Sequence, residues 1–186
     1  VTTPTFTADW FTGSALAGAG SWTAHVVPRL ARFTRVSWLE VGSFEGRSAL
    51  WAADNLVRGP GAIVTCVDSW EDADVEKHFD ANVVGRANVV KRKGRSDVVL
   101  PSIFSHSFEG VYVDGSHAEE DVRRDAAEAA RIVVPGGVLV FDDYDADRGH
   151  PELGVHAAVD DFLREHRGDF EVAYRGWQLI LHVRGG

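Results

Sequence analysis

Runs of apolar, β-prone residues alternate along this chain with stretches whose apolar positions recur at helical spacing. The β runs fall at 36–41, 62–67, 88–93, 108–114 and 138–141, and two further runs, 170–174 and 177–183, close the chain. Between them a helix is expected from Gly46, with Leu50, Ala53, Leu56 and Val57 on one stripe, and another over 72–84. A short helix over 96–104 is interrupted by Pro101. Helix 118–133 buries Val122, Ala126, Ala129 and Ile132, and helix 151–167 buries Val155, Ala158, Val159, Phe162 and Leu163. Turn residues punctuate the pattern: Gly59, Pro60 and Gly61 before the second run, Pro135, Gly136 and Gly137 before the fifth, and Arg175 and Gly176 as a hairpin joint. Strands alternating with helices and ending in a hairpin predict an open, mostly parallel α/β sheet.

Residues 1–34 precede this alternation as a helical cap segment ahead of one domain at 35–186. Trp22, Val26, Val27 and Leu30 stand at roughly helical spacing after a small-residue run at 13–20, and predict a helix packed across the sheet. A second reading makes the segment a lid whose aromatics, Trp10, Phe11 and Trp22, line a pocket.

Composition narrows the class. The chain has 186 residues, 45% of them hydrophobic, enough for one globular core without repeats or a linker. Its net charge of -9 argues against a nucleic-acid backbone or an anionic membrane as partner. The cluster Lys91, Arg92, Lys93 and Arg95 is read as edge-strand protection. One cysteine, Cys66, excludes an internal disulfide and fits a cytoplasmic setting. The first residues lack the basic and apolar regions of a secretory signal, and a start other than Met suggests processing or trimming. No stretch is long and apolar enough to span a bilayer. Oligomeric state has no signature here, and a homo-oligomer is compatible with everything read so far.

The chemistry gathers at strand ends. Glu40 closes the first β run, at the same rim as the later strand-end carboxylates, and leads into a loop framed by Gly42 and Gly46, after which a helix begins. A strand, a glycine loop and a helix N-terminus make a cradle whose free N–H groups face a ligand. The dinucleotide fingerprint needs a close second glycine, and Ser43 and Phe44 do not supply it. A carboxylate ahead of the loop would repel a pyrophosphate and would suit a ligand bearing an amino group and a sulfonium. Asp68 closes the second run, where an acidic residue typically holds ribose hydroxyls; otherwise it is a turn or N-cap residue. Trp70, after Ser69, is placed to stack near an adenine, and the Arg95 and Ser96 loop shares the same rim.

The spacing Glu40, Gly42, Gly46, Ser48 resembles motif I of class I S-adenosylmethionine (SAM) dependent methyltransferases, in particular the catechol O-methyltransferase-like branch. The resemblance extends over about residues 36–183. It implies a Rossmann-like three-layer α/β sandwich with a seven-stranded sheet in the order 3-2-1-4-5-7-6, the last strand antiparallel. It further implies that Glu40 holds a SAM hydroxyl or amino group, Asp68 the ribose, and the loop with Ser43 and Ser48 the methionyl part. Asp114 ends the fourth run, and Asp142 and Asp143 end the fifth. Carboxylates converging on one rim repel unless a hard cation compensates them, which suits Mg²⁺ or Mn²⁺. The same pattern resembles the metal site of catechol-type and macrolide-sugar O-methyltransferases, with a basic residue three positions past the first Asp as general base. Here that residue is His117. Its plainer reading is the first turn of a helix, orienting Asp114 or a water. The remaining seven histidines have no matching context.

The expected activity is metal-assisted methyl transfer from SAM to a hydroxyl of a small molecule, leaving S-adenosylhomocysteine (SAH). The alternatives are an N- or C-methylating or other SAM-using enzyme, a nicotinamide-dependent oxidoreductase, and a non-catalytic SAM-binding domain. The acceptor walls would be Trp10, Phe11, Trp22, Tyr144 and the loop 145–154.

Overall fold

Seven strands form one sheet in the order β3-β2-β1-β4-β5-β7-β6. They are β1 (Trp38–Val41), β2 (Val64–Asp68), β3 (Val89–Lys93), β4 (Phe108–Val113), β5 (Val133–Phe141), β6 (Phe170–Arg175) and β7 (Leu179–Val183). The first five run parallel, and β7 is antiparallel to both β5 and β6. The computed structural model describes residues 3–12, 18–146 and 153–185.

The helices cover both faces because successive strand residues point to opposite sides. On one side Trp38, Cys66, Tyr112, Val140 and Ile180 pack with α3 (Arg47–Asn55) and with Phe79 of α4 (Ala73–Asn82). On the other, Leu39, Val67, Val111, Leu139 and Leu181 pack with α6 (Glu119–Ile132) and α7 (Val155–Glu165). A short α5 (Ser96–Val99) continues into a 3-10 turn at Leu100–Ser102, where Pro101 falls. The chain therefore changes face between β1 and β4, and a switch point in a parallel sheet opens a crevice at the strands' carboxyl ends.

Ahead of β1, residues 3–12 are irregular or bent and Ala19–Leu30 is helical. α1 (Ala19–Ser21) passes through a π-helical turn, Trp22–Val26, into α2 (Val27–Leu30). Val27 N–H bonds to Trp22 O, one residue further back than in an α-helix, just ahead of Pro28, which has no N–H to give. Trp22, Val26 and Leu30 are fully buried, and Trp22 meets Phe11, Trp38, Trp51 and Tyr112 at ring centroid distances of 4.8, 4.8, 5.7 and 4.8 Å.

Four boundaries differ from the pattern. β1 begins at Trp38, since Val36 instead makes an isolated antiparallel bridge to Arg58. α3 ends at Asn55, so its buried stripe is Ala49, Leu50, Ala52 and Ala53, and Leu56 lies past it. Pro135, Gly136 and Gly137 do not precede β5 but lie inside it, where the register with β4 shifts between Phe108 and Gly110; a bulge absorbs a residue that cannot donate to the ladder. The β6–β7 joint comprises Gly176, Trp177 and Gln178, because Gln178 turns fully inward. Expectations on residues 13–17 and 147–152, His150 among them, lie outside the described residues.

Candidate active site

Strand register decides which expected residues reach the rim. Glu40 pairs with Cys66 on one side and Tyr112 on the other, and Tyr112 pairs with Val140. Two residues further along, on the same face, stand Gly42, Asp68, Asp114 and Asp142. Their ladder continues through Gly42 N to Val67 O at 2.8 Å, Asp114 N to Val41 O at 2.8 Å and Asp142 N to Val113 O at 3.0 Å. Glu40 is thus one rung deeper than the other carboxylates.

That depth sets its chemistry. Glu40 is fully buried and does not line the cavity described below. Ser48 Oγ donates to its Oε1 at 3.0 Å, and Oε2 is enclosed on the side of Ser43. Burial pushes the carboxyl up to about 8, against the opposing hydrogen bonds of Ser48 and Ser43. Cys66, beside it, is a buried thiol also raised by burial. Glu40 therefore stands behind Ser43 and Ser48, the two residues that do line the cavity.

The glycine loop is fixed by Asp68 and by left-handed backbone. Gly42 has φ 84, and a Cβ there would lie 1.9 Å from Asp114 O, so only glycine lets the β1 and β4 loops touch. Asp68 Oδ2 accepts from Phe44 N at 2.9 Å and Oδ1 from Trp70 N at 2.8 Å. Phe44, Trp70 and Asp143 all have positive φ, which places backbone strain at the ends of β1, β2 and β5. Trp70 departs from expectation. It is buried, its ring packs on Phe79 at 4.5 Å, its Nε1 donates to Phe44 O at 2.9 Å, and it does not line the cavity. The indole braces the loop and turns its ring to Phe79 instead of the cavity. Ser69, Glu71, Gly94, Arg95 and Ser96 do line it, whereas Gly46, the residue before α3, does not.

Opposite the loop, Tyr112 organises the acidic residues. Its hydroxyl lies 2.9 Å from Asp114 Oδ2 and 2.5 Å from Asp142 Oδ2. One hydroxyl has one proton to donate, so the second contact needs a proton on a carboxyl. Burial, then the charges of Asp142 and Asp143, holds Asp114 well above the usual carboxylate range; burial also raises Asp142, and burial with the two carboxylates raises Tyr112. His117 Nε2 meets Asp143 Oδ2 at 2.9 Å. Ligand atoms of Asp114, His117 and Asp143 lie within 4.8 Å of one another, so this trio, rather than Asp114, Asp142 and Asp143, is the group converging in the structure. Asp142 faces Tyr112 instead, with Gln178 beside it and its enclosed Oδ1 lacking a close hydrogen bond among the described residues. A donor set of carboxylate oxygens and one imidazole, with an enclosed carboxylate oxygen beside it, fits a divalent cation.

One cavity of about 1310 Å³ joins these groups. It exceeds the roughly 300–1,000 Å³ of single-ligand sites, which leaves room for two reactants. Nine acidic residues and two arginines line it, and both arginines are already paired: Arg47 with Asp9 at 3.4 Å and Arg95 with Asp97 at 3.1 Å. Trp10, Phe11, Tyr174 and Trp177 give it apolar walls, whereas Trp22 and Tyr144 are buried in the core and do not reach it.

Sequence reading missed several members. Tyr112 looks like a core residue in a β run, although its position two before Asp114 puts both on one face. Glu45 is only 3% exposed within the glycine loop. Gln178 accepts from Ser21 Oγ at 2.7 Å and Trp22 Nε1 at 3.1 Å, and lies beside Asp142. Asp125 lies on the buried stripe of α6, where burial raises it to about 6 and Ser96 of the cavity wall donates to it. An Asp between Val122 and Ala129 is the visible signal.

Comparison with known proteins gives a consistent picture. A family model described as a methyltransferase domain matches residues 39–144. A putative O-methyltransferase of Mycobacterium sp. (strain JLS) is 30% identical over 128 residues, covering 66% of this chain and 57% of that protein. An uncharacterized protein of Acanthamoeba polyphaga mimivirus is 26% identical over 138 residues, covering 69% and 62%. The chain thus spans about six-tenths of the length of these curated relatives. The O-methyltransferase TomG from Streptomyces achromogenes, involved in tomaymycin synthesis and solved in complex with SAM, superposes with a TM-score of 0.66 at 23% identity, covering 91% of this chain and 82% of that one.

Proposed function

The chain belongs to the methyltransferase domain family, and from that premise we propose that it transfers a methyl group from SAM to a hydroxyl of a small molecule. The observation that carries the reading is the single cavity. It brings the Gly42–Ser43 loop, Asp68 and Gly94 to Ser96 to one side, and Asp114, His117 and Asp143 to the other. SAM supplies an electrophilic methyl on a sulfonium, and the likeness to TomG, which was solved with SAM, supports that choice of cofactor. Ser43 and Ser48 face the methionyl part, with the Glu40 carboxyl buried behind them and Ser48 donating to it. Asp68 has spare acceptor capacity for ribose hydroxyls beyond the two backbone N–H groups it holds.

His117 is the general base. Its Nε2 lies 2.9 Å from Asp143 Oδ2, so a carboxylate faces the ring. The imidazole takes the acceptor's hydroxyl proton as the oxygen attacks, and Asp143 stabilises the imidazolium formed. Asp114 and Asp143, with Asp142 held by Tyr112, would hold Mg²⁺ or Mn²⁺, which when bound lowers the pKa of an acceptor hydroxyl. The convergence of His117 with Asp114 and Asp143 favours one other reading, in which His117 is itself a ligand. The acidic lining disfavours phosphorylated or carboxylated acceptors and favours neutral or cationic ones.

Calorimetric titration with SAM, SAH and NAD, with Mg²⁺ and then with excess chelator, tests the reading. Micromolar binding of SAM and SAH without NAD is the expected result. Absence of SAM binding in both conditions refutes the cofactor, and turnover unaffected by chelator refutes the metal.

A further inference from the structure

Glu45 is a carboxylate in the middle of the glycine loop that borders the cavity, yet both of its oxygens are engaged by other segments of the chain. It is only 3% exposed, and its Oε2 accepts from Thr7 N at 2.8 Å while Oε1 accepts from Thr7 Oγ1 at 2.8 Å. His78 Nδ1 of α4 meets the same Oε1 at 3.1 Å. Asn82, also in α4 and buried, reads the same junction. Its Nδ2 donates to Glu45 O at 3.0 Å and Thr5 O at 2.9 Å, and its Oδ1 accepts from Thr5 N at 2.9 Å. Arg47 completes the strap, donating to Ala8 O at 3.0 Å with its guanidinium 4.1 Å from the Phe6 ring centroid. Residues 5–8 are therefore tied through their backbone to the cofactor loop and to α4.

The other end of this arm is held differently. Phe11 is buried, edge-on to Trp22 at 4.8 Å and to Trp51 at 5.9 Å. Between the polar tie at Thr7 and the apolar tie at Phe11 stands Trp10, which is 74% exposed, lines the cavity and lies 5.5 Å from the exposed Phe44 ring. A buried carboxylate costs desolvation, and an apolar residue would hold an arm down as firmly; what the carboxylate adds is direction, through donors that fit one arm position.

We propose that Glu45 is a positioning residue that fastens the N-terminal arm to the cofactor loop, so that Trp10 and Phe44 together form a movable aromatic wall for the acceptor whose placement follows the state of the cofactor loop. The inference rests on the methyl-transfer reading for the word acceptor, but the tie itself is a property of the chain. Any ligand that orders the Gly42–Gly46 loop orders the arm, because the loop carries the arm's anchor.

Hydrogen–deuterium exchange of the 3–12 segment and tryptophan emission, each with and without SAH, test this in the full chain. Trp10→Phe identifies the part of the emission due to Trp10. In the wild type, SAH should slow exchange of 3–12 at least tenfold and shift Trp10 emission. Glu45→Gln turns an amide N–H towards the Thr7 donors, and should raise exchange of the arm at least tenfold and abolish the Trp10 signal while SAH affinity changes less than threefold. Thr7→Pro removes both arm donors without touching the loop, and should reproduce the effect even if Glu45→Gln folds poorly. A Trp10 response to SAH that survives Thr7→Pro overturns the proposal, as does an arm whose exchange is the same in Thr7→Pro and wild type. Failure of the wild type to bind SAH refutes the methyl-transfer reading instead, and the exchange comparison without ligand still decides the tie.

Discussion

At the scale of single residues, the site contrasts one carboxylate held back with others held forward. Glu40 lies a rung below the rim, and its carboxyl is raised to about 8 chiefly by burial. An acid raised on folding keeps its proton in the native state where the unfolded chain, with a carboxyl near 4.3, has lost it. Between those values the native state binds more protons, so this group's contribution to stability is full below about 4.3 and falls as pH rises towards 8. Glu40→Gln removes the titration and keeps an acceptor for Ser48. Its stability relative to wild type should climb by at most about 1.4 kcal/mol per pH unit across that window, measured by urea unfolding at several pH values. An unchanging difference would mean that Glu40 is ionised in the native protein. His117 poses the opposite case, a group at the cavity rather than beneath it. His117→Ala should lower turnover by about 10²–10⁴-fold while SAM affinity stays within about threefold, since the imidazole acts on the acceptor's proton. Turnover equal to wild type would remove the base assignment. If His117 ligates the ion instead, the same variant should also lose Mn²⁺ affinity, read by electron paramagnetic resonance.

At the scale of elements, function depends on loops of neighbouring strands touching at the rim. Gly42 of the β1 loop abuts Asp114 O of the β4 loop, where a Cβ would lie 1.9 Å away, and its φ of 84 is strained for any other residue. Gly42→Ala should therefore push β1 and β4 apart at their ends, costing more than about 1 kcal/mol in unfolding and at least tenfold in SAM affinity. Calorimetry with full SAM affinity in that variant would show that the two loops need not touch. The glycine was legible from the chain because turn residues carry strong local signals, whereas the strand order came with the resemblance to class I methyltransferases and is the order observed. Helix 19–30 was legible through Trp22, Val26 and Leu30. What local pattern could not carry was register. It cannot tell that Glu40 pairs with Cys66 rather than aligning with Asp68, nor that Tyr112 rises beneath both Asp114 and Asp142. It also misassigned Trp70, since a tryptophan after a strand reads alike whether it braces the loop through Phe44 O or faces a ligand. Pro135 reads locally as a boundary because proline usually ends strands, and the bulge opposite Phe108 and Gly110 is a long-range accommodation.

At the scale of the whole molecule, charge is the property that reaches furthest. The chain carries a net charge of -9, and among the described residues the cavity is lined by nine acidic residues whose two arginine neighbours are already paired. SAM carries one positive charge more than SAH, and differs from it otherwise by a methyl group. An acidic cavity therefore favours reactant over product electrostatically, and the preference must weaken as salt screens the carboxylates. Raising ionic strength from 0.1 to 1 M shortens the Debye length from about 10 to about 3 Å. With one unit charge facing surplus carboxylates some 10 Å away in water-like dielectric, each such carboxylate adds about 0.4 kcal/mol unscreened and about 0.15 kcal/mol at 0.1 M, so several together should make the SAM to SAH affinity ratio fall about twofold or more. The same titrations locate the cation. A divalent ion seated between Asp114 and Asp143 cancels part of the field, so the salt effect on the ratio should shrink when Mg²⁺ or Mn²⁺ is added. In Asp143→Asn that shrinkage should be lost, whereas Asp80→Asn, altering a carboxylate that pairs with Lys91 and does not line the cavity, should keep it. A ratio indifferent to salt would mean that the excess negative charge is neutralised by protons on the buried carboxyls, the state towards which burial already drives Asp114 and Glu40.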